Sequence, residues 1–504
     1  MISEESKAAS AGNGGPNSIP PHALPVLKWL TMLLYAWFGV RLVYFALSLS
    51  SFAPPDEVSH AGICLLFSKV LLLPDNSSES YRFGLVTNIP WLYYRVMGTL
   101  LHGNITGLPD LVYLRLLNLP LAFGTVWYSL RLAELLGGDR LVRILLLAVV
   151  TNLAMFSFLS ASVSYDNLTN LLAAMAICHL FIFFRNRSPG DLAVSFICQL
   201  AGCLTKVTFL PLVLALGVLL FLFEWRNFSC VPQGVRRWFH ASGRRAAIAA
   251  AVLCIGLGLN LQLYAGNYLR YGSLNPPLAA VVSPQAAMEH RLDARGMIFS
   301  QYKEGKITYM EALMLTGEMD HPGDKADTFF LLMNYEKLKQ NPGLWLTPLQ
   351  YLKVWYINMV ASTVGIKSHL VMPKDPRYLV PFYGIMLLAL AGMALCWRPG
   401  RDGWTAPALG GVALFYAGFV LYEFNYPAYQ NYGAPGLTLY GRYLFPVLAP
   451  VGVLTCHYLL QLVRGTAARA GIALAVALLF IAADFPWFLT HVTPEWQQWL
   501  PGQR

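Results

Sequence analysis

Charged side chains are scarce in this chain. Asp, Glu, Lys and Arg together make up 12% of the 504 residues, while hydrophobic residues make up 56%. A soluble domain carries about 25% charged residues, so the composition excludes a protein whose main solvent is water. The formal net charge of +10 does not predict nucleic-acid binding either, because most basic residues lie in short links between apolar runs.

The sequence also lacks paired cysteines and the pattern of a cleavable leader. None of the eight cysteines belongs to a CxxC pair, which excludes a zinc site or a disulfide framework as the organising feature. Residues 1–25 are rich in Gly, Ser, Asn and Pro and lack the order of charged, apolar and small residues that marks a removable signal. We expect a disordered cytoplasmic tail there.

Long apolar runs dominate the rest of the chain. Runs of about 18 to 25 residues match the length that a helix needs to cross a hydrocarbon core of about 30 Å. The sequence therefore predicts an all-α polytopic membrane protein with about eleven transmembrane helices. The candidate spans are 29–49, 111–136, 141–159, 168–184, 192–204, 209–223, 246–265, 379–397, 406–422, 443–463 and 471–489.

The arginine and lysine bias sets the expected orientation, because short cytoplasmic links carry the positive charge. If the chain starts inside, every predicted cytoplasmic link contains arginine. The outer side then receives the loop 51–110, a mostly helical excursion at 266–378 and a tail at 490–504. The remaining modules are transmembrane helices at 26–265 and 379–489. We expect a bacterial inner-membrane protein with its N-terminus in the cytoplasm.

Unusual polar residues next to the spans fall on the predicted outer side. The first outer loop holds the adjacent acids Asp56 and Glu57, with His60 one helical turn further on, in a segment that could form an interfacial helix. Three later turns supply Tyr165, Asp166, Lys206, Tyr440 and Arg442. An ionised group at membrane depth costs roughly 2.5 to 3.5 kcal/mol, so such groups usually pair or line a wet cavity.

These residue types suit the transfer of a group from a lipid-linked phosphate. A carboxylate can take the proton of an attacking hydroxyl or amine, and lysine and arginine can hold a phosphate leaving group. Simpler roles stay open. Asp56 and Asp166 could be helix caps, and His60 an ordinary interfacial histidine. Lys206 and Arg442 could extend toward the lipid headgroups without a functional partner.

Several motifs resemble the GT-C glycosyltransferases, which include protein O-mannosyltransferases and the lipid A aminoarabinose transferase. The motifs are Pro54-Pro55-Asp56-Glu57 with His60, then Asn88-Ile89-Pro90-Trp91-Leu92-Tyr93-Tyr94 and Gly441-Arg442-Tyr443-Leu444-Phe445-Pro446. A less characterised bacterial branch with a PPDExxH first loop is the most similar. The resemblance covers about the first 225 residues and returns at the Gly-Arg-Tyr segment, whereas the excursion matches no familiar acceptor-binding module.

The resemblance implies a GT-C-like bundle that transfers a sugar from a polyprenyl-phosphate donor, with inversion, to a lipid, glycan or protein acceptor. Asp56 would be the catalytic base, with Glu57 beside it. The resemblance also maps a second outer-loop acid to Asp166 and a basic residue to Lys206. Beyond the resemblance, we expect His60, Tyr165 and Asp166 to contact the acceptor or sugar, and Lys206, Arg442 and Tyr440 to bind the donor phosphate.

The same residues leave other functions open. A divalent metal ion could bind at Asp56, Glu57 and Asp166, because oxygen ligands suit such ions. A transporter or flippase of lipid-linked sugars could use the basic residues to escort phosphate, and a non-catalytic subunit of an envelope polysaccharide assembly would need none of them. Membrane lipids are expected partners in each case, and nucleic acid in none.

Overall fold

The computed structural model describes residues 23–50, 53–81, 83–226, 231–319, 322–367, 371–372, 376–399 and 403–483. The predicted tails at 1–25 and 490–504 lie almost entirely outside these residues. Within them the chain is helical apart from its links and one antiparallel pair of two-residue strands, Ile366–Lys367 and Val371–Met372.

Nine helices in the described part of the chain are at least 18 residues long and apolar enough to cross a membrane. They confirm the predicted all-α polytopic membrane fold. Their bounds are Pro25–Ser48, Asp110–Leu135, Tyr165–Asn186, Val207–Glu224, Arg236–Tyr271, Arg377–Cys396, Thr405–Tyr432, Gly441–Gln461 and Thr466–Ala483. Two of them contain a π-helical turn, at Leu261–Ala265 and Val420–Asn425.

Two of the eleven predicted spans take a different form. The run 141–159 consists of the helices Arg140–Thr151 and Ala154–Ser160, which meet at 67° and raise the count to ten if they form one span. The run 192–204 is the helix Pro189–Cys203, whose 15 residues extend only about 22 Å. Hydropathy does not separate such helices from full spans, because a helix buried among other helices is as apolar as one in lipid.

The loop 51–110 and the excursion 266–378, both predicted to lie on the outer side, are helical as well. The loop contains Glu57–Ser68, Ser78–Tyr81 and Leu92–Leu101. The excursion contains Leu278–Val281, Pro284–Ala287, Arg291–Lys303, Tyr309–Gly317, Pro322–Gln340 and Pro348–Val364, with short 3-10 turns at Pro342–Leu344 and Pro376–Leu379. Its helices enclose a small core of their own around Ile298, Phe299 and Leu332. The last transmembrane helix before it continues to Tyr271, six residues beyond the predicted boundary.

The ends of three helices meet beside the loop 51–110. Arg115, near the start of the Asp110–Leu135 helix, bonds to Glu57. Asp166, at the start of the Tyr165–Asn186 helix, bonds to Lys206, which follows the helix Pro189–Cys203. Long-range contacts therefore bring these chain segments to one end of the helix bundle.

Candidate active site

Asp56 occupies a strained backbone position directly before the Glu57–Ser68 helix. Its φ and ψ of 59° and 14° are left-handed, a conformation that costs an L-residue about 1 to 2 kcal/mol. Its side chain makes no helix-capping hydrogen bond, so capping does not explain this acid. Instead, Oδ2 accepts a hydrogen bond of 3.0 Å from Nη2 of Arg442, and a third of the side chain stays exposed.

Asp166 and Lys206 form a buried ion pair. Ser164 caps the helix by accepting a hydrogen bond of 3.2 Å from the Asp166 amide, which leaves the Asp166 carboxylate free of the capping role. Oδ1 of this carboxylate accepts a hydrogen bond from Nζ of Lys206. Because Lys206 is only 6% exposed, it does not extend to the headgroups. Burial lowers the pKa of Lys206, and the charge of Asp166 opposes that shift.

Arg442 links the two carboxylates, since its Nη1 lies 3.8 Å from Oδ2 of Asp166 while its Nη2 holds Asp56. The preceding Gly441 fixes its position. The Gly441 amide donates a hydrogen bond of 2.7 Å to Oγ of Ser362, and a Cβ at Gly441 would lie 2.3 Å from Oγ1 of Thr363. Only glycine fits this close approach, so the Arg442 backbone is held against the last excursion helix.

Aromatic rings surround both cations. The Lys206 ammonium lies 4.7 Å from the ring centroid of Tyr165 and 5.1 Å from that of Tyr443. The Arg442 guanidinium lies 5.3 Å from the ring of Tyr440 and 5.5 Å from that of Tyr443. Electron-rich ring faces stabilise cations that have lost water, so these tyrosines help to hold the charges in a dry site.

His60 lies within the same cluster. Its Nδ1 is 2.8 Å from the hydroxyl of Tyr94, and its ring centroid is 4.5 Å from that of Tyr165. Burial lowers the pKa of His60 to about 4, although the charges of Asp56 and Asp166 act in the opposite direction. This histidine is therefore neutral near pH 7.

Glu57 points to different partners. Its carboxylate accepts two hydrogen bonds from Arg115, of 2.8 Å from Nε and 2.5 Å from Nη2, and a third of 2.8 Å from the amide of Val163. Arg115 also donates to the carbonyl oxygens of Ala46 and Leu49. Neither side chain is more than 2% exposed. Glu57 thus joins the first loop to two helices, and its geometry fits a positioning role rather than direct chemistry.

Arg115 was missed among the candidate residues. It lies inside the apolar run 111–136, where a charge is costly and therefore marks a partner or a polar cavity. The sequence alone therefore marks Arg115 as unusual. It does not identify Glu57 as the partner of Arg115, because 58 residues separate the two.

Two cavities meet at the cluster. One, of about 310 Å³, is lined by Asp56 and His60 together with His290 and Asp293 of the excursion. The other, of about 360 Å³, is lined by Lys206, Thr208 and Tyr443 and by apolar residues. Both cavities share the residues Ile89, Tyr94, Tyr165 and Asn275. The acid and the lysine therefore face separate chambers with a common wall.

Some polar capacity in the cluster is unused. Among the described side chains of this cluster, three buried atoms have no hydrogen-bond partner: Oδ2 of Asp166, Nε of Arg442 and Nε2 of His60. Most buried polar atoms in folded proteins are satisfied, so an unsatisfied group requires an explanation. These three atoms lie in the cluster beside the two cavities, where a ligand could satisfy them.

No protein-family model and no curated protein matches the chain. Among solved structures it is similar to the crystal structure of ArnT from Cupriavidus metallidurans in the apo state. The sequences are 13% identical, the match covers 86% of this chain and 78% of that one, and the TM-score is 0.36. A likeness this low says nothing about the residues of the site.

The three acids considered as metal ligands do not form a ligand set. Glu57 is bound to Arg115, and Arg442 lies between Asp56 and Asp166. In the described part of the chain, no group of three or more His, Cys, Asp or Glu residues has the arrangement to hold a metal ion. The geometry of this cluster is that of alternating charges rather than of converging acids.

Proposed function

We propose that this chain is a membrane glycosyltransferase of the GT-C type. It would transfer a sugar from a polyprenyl-phosphate donor to a lipid, glycan or protein acceptor at the outer face of a bacterial inner membrane. The observation that carries the proposal is the series of alternating charges Asp56, Arg442, Asp166 and Lys206, with a cavity beside the first and another beside the last.

Asp56 is the proposed base. Its partly exposed carboxylate lines the chamber that also contains His290 and Asp293, which gives space for an acceptor. An acceptor hydroxyl or amine would give its proton to Asp56 while its oxygen or nitrogen forms a bond to the anomeric carbon. The bond from that carbon to the phosphate oxygen breaks on the opposite side, so the configuration of the sugar inverts. Glu57 and Arg115 hold the start of the helix that carries the base.

Lys206 and Arg442 are the proposed ligands of the donor phosphate, with Tyr440 beside Arg442. Two carboxylates balance these two cations when no donor is present. A bound donor adds negative charge, and more develops on the phosphate oxygen as the sugar leaves. Fixed cations in a dry site stabilise such charge without reorganising water. The apolar wall of the Lys206 chamber, including Val420 and Phe424, suits the lipid part of the donor.

The sugar would lie between the chambers, at their shared wall. Tyr165, His60 and Asp166 are the candidates for contacting it, because Tyr165 lines both chambers, His60 lines the Asp56 chamber and packs on Tyr165, and Asp166 bonds to Lys206. The unsatisfied Nε2 of His60 is available as a hydrogen-bonding atom there.

A transporter fits the same residues less well. Alternating-access carriers tend to bind their substrate near the middle of the membrane, between related halves of the fold. Here Asp56, Asp166, Lys206 and Arg442 gather where helices begin or end, beside the first outer loop. That position suits chemistry at one membrane face.

The test compares the wild type with Asp56→Asn in proteoliposomes. A panel of radiolabelled undecaprenyl-phosphate sugars serves as donor, and loss of label from the donor lipid is measured. We expect turnover to fall by about 10²- to 10⁴-fold, since the substitution keeps the shape and removes the base. Donor retention on the immobilised protein is expected to persist, because Lys206 and Arg442 remain.

Asp191→Asn is the matched control. Asp191 is also a partly exposed aspartate with a polar partner, Nδ1 of His179 at 2.8 Å, but it lies in the helix Pro189–Cys203, away from the cluster. Its turnover should equal that of the wild type. Equal turnover for Asp56→Asn would remove the base, and no turnover by the wild type with any donor would reject the enzyme in favour of transport or assembly.

A further inference from the structure

A third cavity, larger than the two at the candidate active site, lies at the other end of the Asp110–Leu135 helix. Arg131 follows Arg115 by 16 residues on that helix, which places it about 24 Å from the Glu57 contact along the helix axis. The cavity has a volume of about 1280 Å³ and lies between the helices Pro25–Ser48, Asp110–Leu135 and Arg140–Thr151. It therefore opens near the membrane face opposite the candidate active site.

Basic side chains concentrate at the mouth of this cavity. Lys28, Arg131, Arg140 and Arg143 line it with a single acid, Glu134, so four positive charges face one negative charge and the net charge is +3. Glu134 is occupied by Arg131 at 2.5 Å and by Arg143. Among the described residues, neither Lys28 nor Arg140 has a carboxylate within 4 Å. Two exposed cations are thus available to an anion.

The walls of the same cavity are apolar and aromatic. Trp29 is 70% exposed and Trp127 is 56% exposed, with Met32, Leu130 and Leu147 also lining the groove. Tryptophan is enriched at the level of lipid headgroups, because its ring is apolar and its N–H is polar. A ligand of this groove needs a negative head next to a long apolar body.

We propose that this groove is a binding site for an anionic phospholipid. The phosphate and negative headgroup would lie at Lys28 and Arg140, and an acyl chain would lie along Met32 and Trp127. Basic pockets between transmembrane helices suit anionic headgroups. The net charge of +3 favours an anionic lipid over a zwitterionic one, and the apolar walls disfavour a soluble phosphate compound.

Native mass spectrometry of the full-length protein in detergent tests the proposal without any activity measurement. Dioleoylphosphatidylglycerol and dioleoylphosphatidylcholine are titrated separately, and the fraction of protein carrying a lipid is measured. We expect the wild type to bind the anionic lipid preferentially. The double variant Lys28→Gln/Arg140→Gln should bind the anionic lipid at least roughly tenfold more weakly than the wild type does. Its affinity for the anionic lipid should then be close to its affinity for the zwitterionic lipid.

Arg185→Gln is the matched control, because Arg185 is an exposed arginine in the last turn of the Tyr165–Asn186 helix and does not line the groove. This variant should retain the preference of the wild type. Equal binding of both lipids by the wild type would overturn the proposal. An unchanged preference in the double variant would also overturn it. Thermal unfolding of the double variant in detergent, measured in parallel, is expected to match that of the wild type.

Discussion

Asp56 and Glu57 are neighbours in sequence and have opposite surroundings. The Asp56 side chain is one-third exposed, sits on a left-handed backbone and faces a cavity. The Glu57 side chain is fully buried and bonded to Arg115 through both oxygens. An adjacent pair of acids can therefore divide its roles, with one carboxylate available to a ligand and the other holding the fold.

This division explains why both acids are present. A helix start can aim one side chain outward only if the helix itself is fixed, and Glu57 fixes it through the Asp110–Leu135 helix and the amide of Val163. Rigid support is what a reacting group needs, since small displacements at a site are costly for catalysis. Three measurements test whether the two acids differ in this way.

The largest effect on stability is expected from Arg115→Met. The substitution leaves the buried Glu57 carboxylate without its cation, which should lower the free energy of unfolding by about 3 to 5 kcal/mol. Titration of the purified protein in mixed micelles with sodium dodecyl sulfate, followed by circular dichroism, measures the change. The double variant Glu57→Leu/Arg115→Met should recover part of the loss, because it removes the uncompensated charge. A loss below about 1 kcal/mol for Arg115→Met would contradict the structural role of the pair.

The buried imidazole of His60 reports how much water reaches the cluster around Asp56. Its pKa is about 4 in the folded protein, against about 6.5 in an unfolded chain. The unfolded state therefore takes up a proton first as the pH falls, so the stability contribution of neutral His60 is present above pH 6.5 and is lost as the pH falls through 4. The loss amounts to at most about 3 kcal/mol.

The measurement for His60 is the free energy of unfolding between pH 7.5 and 4 for the wild type and for His60→Asn. The wild type should lose more stability over this range than the variant, since asparagine does not titrate. Parallel curves would mean that water reaches the imidazole and that the cluster is less dry than its burial indicates.

Two sequence patterns predict the transmembrane spans and place the main polar residues at one end of the bundle. Apolar length marks helices that cross a membrane, and alternation of basic links orders their ends. Asp56, Asp166, Lys206 and Arg442 are therefore expected at one end of the bundle, and the structure joins them by ion pairs. Their roles in a reaction stay predictions.

Other features depend on contacts that no local pattern encodes. The division between Asp56 and Glu57 requires Arg115, which is distant in sequence. His290 and Asp293 reach the Asp56 chamber only through the fold of the excursion, whose sequence matches no familiar module. The bend between Thr151 and Ala154 interrupts an otherwise continuous apolar run, so hydropathy alone does not reveal it.

The smallest effect on stability is expected from Asp56→Asn, and this small effect is what gives the comparison its meaning. Asparagine tolerates a left-handed backbone about as well as aspartate, so the strain at φ 59° should not change. Only the Asp56 partner of the lost ion pair is partly exposed, and Arg442 still faces Asp166, so the loss should be at most about 1 kcal/mol.

The same micelle titration measures the free energy of unfolding of Asp56→Asn beside Arg115→Met. A change within about 1 kcal/mol, together with the loss of turnover proposed above, would separate a residue kept for chemistry from one kept for the fold. A loss of about 3 kcal/mol or more would place Asp56 with Glu57 as a structural acid. The surroundings of Asp56 favour the first outcome, because its side chain is one-third exposed, lines a cavity and makes no helix-capping hydrogen bond.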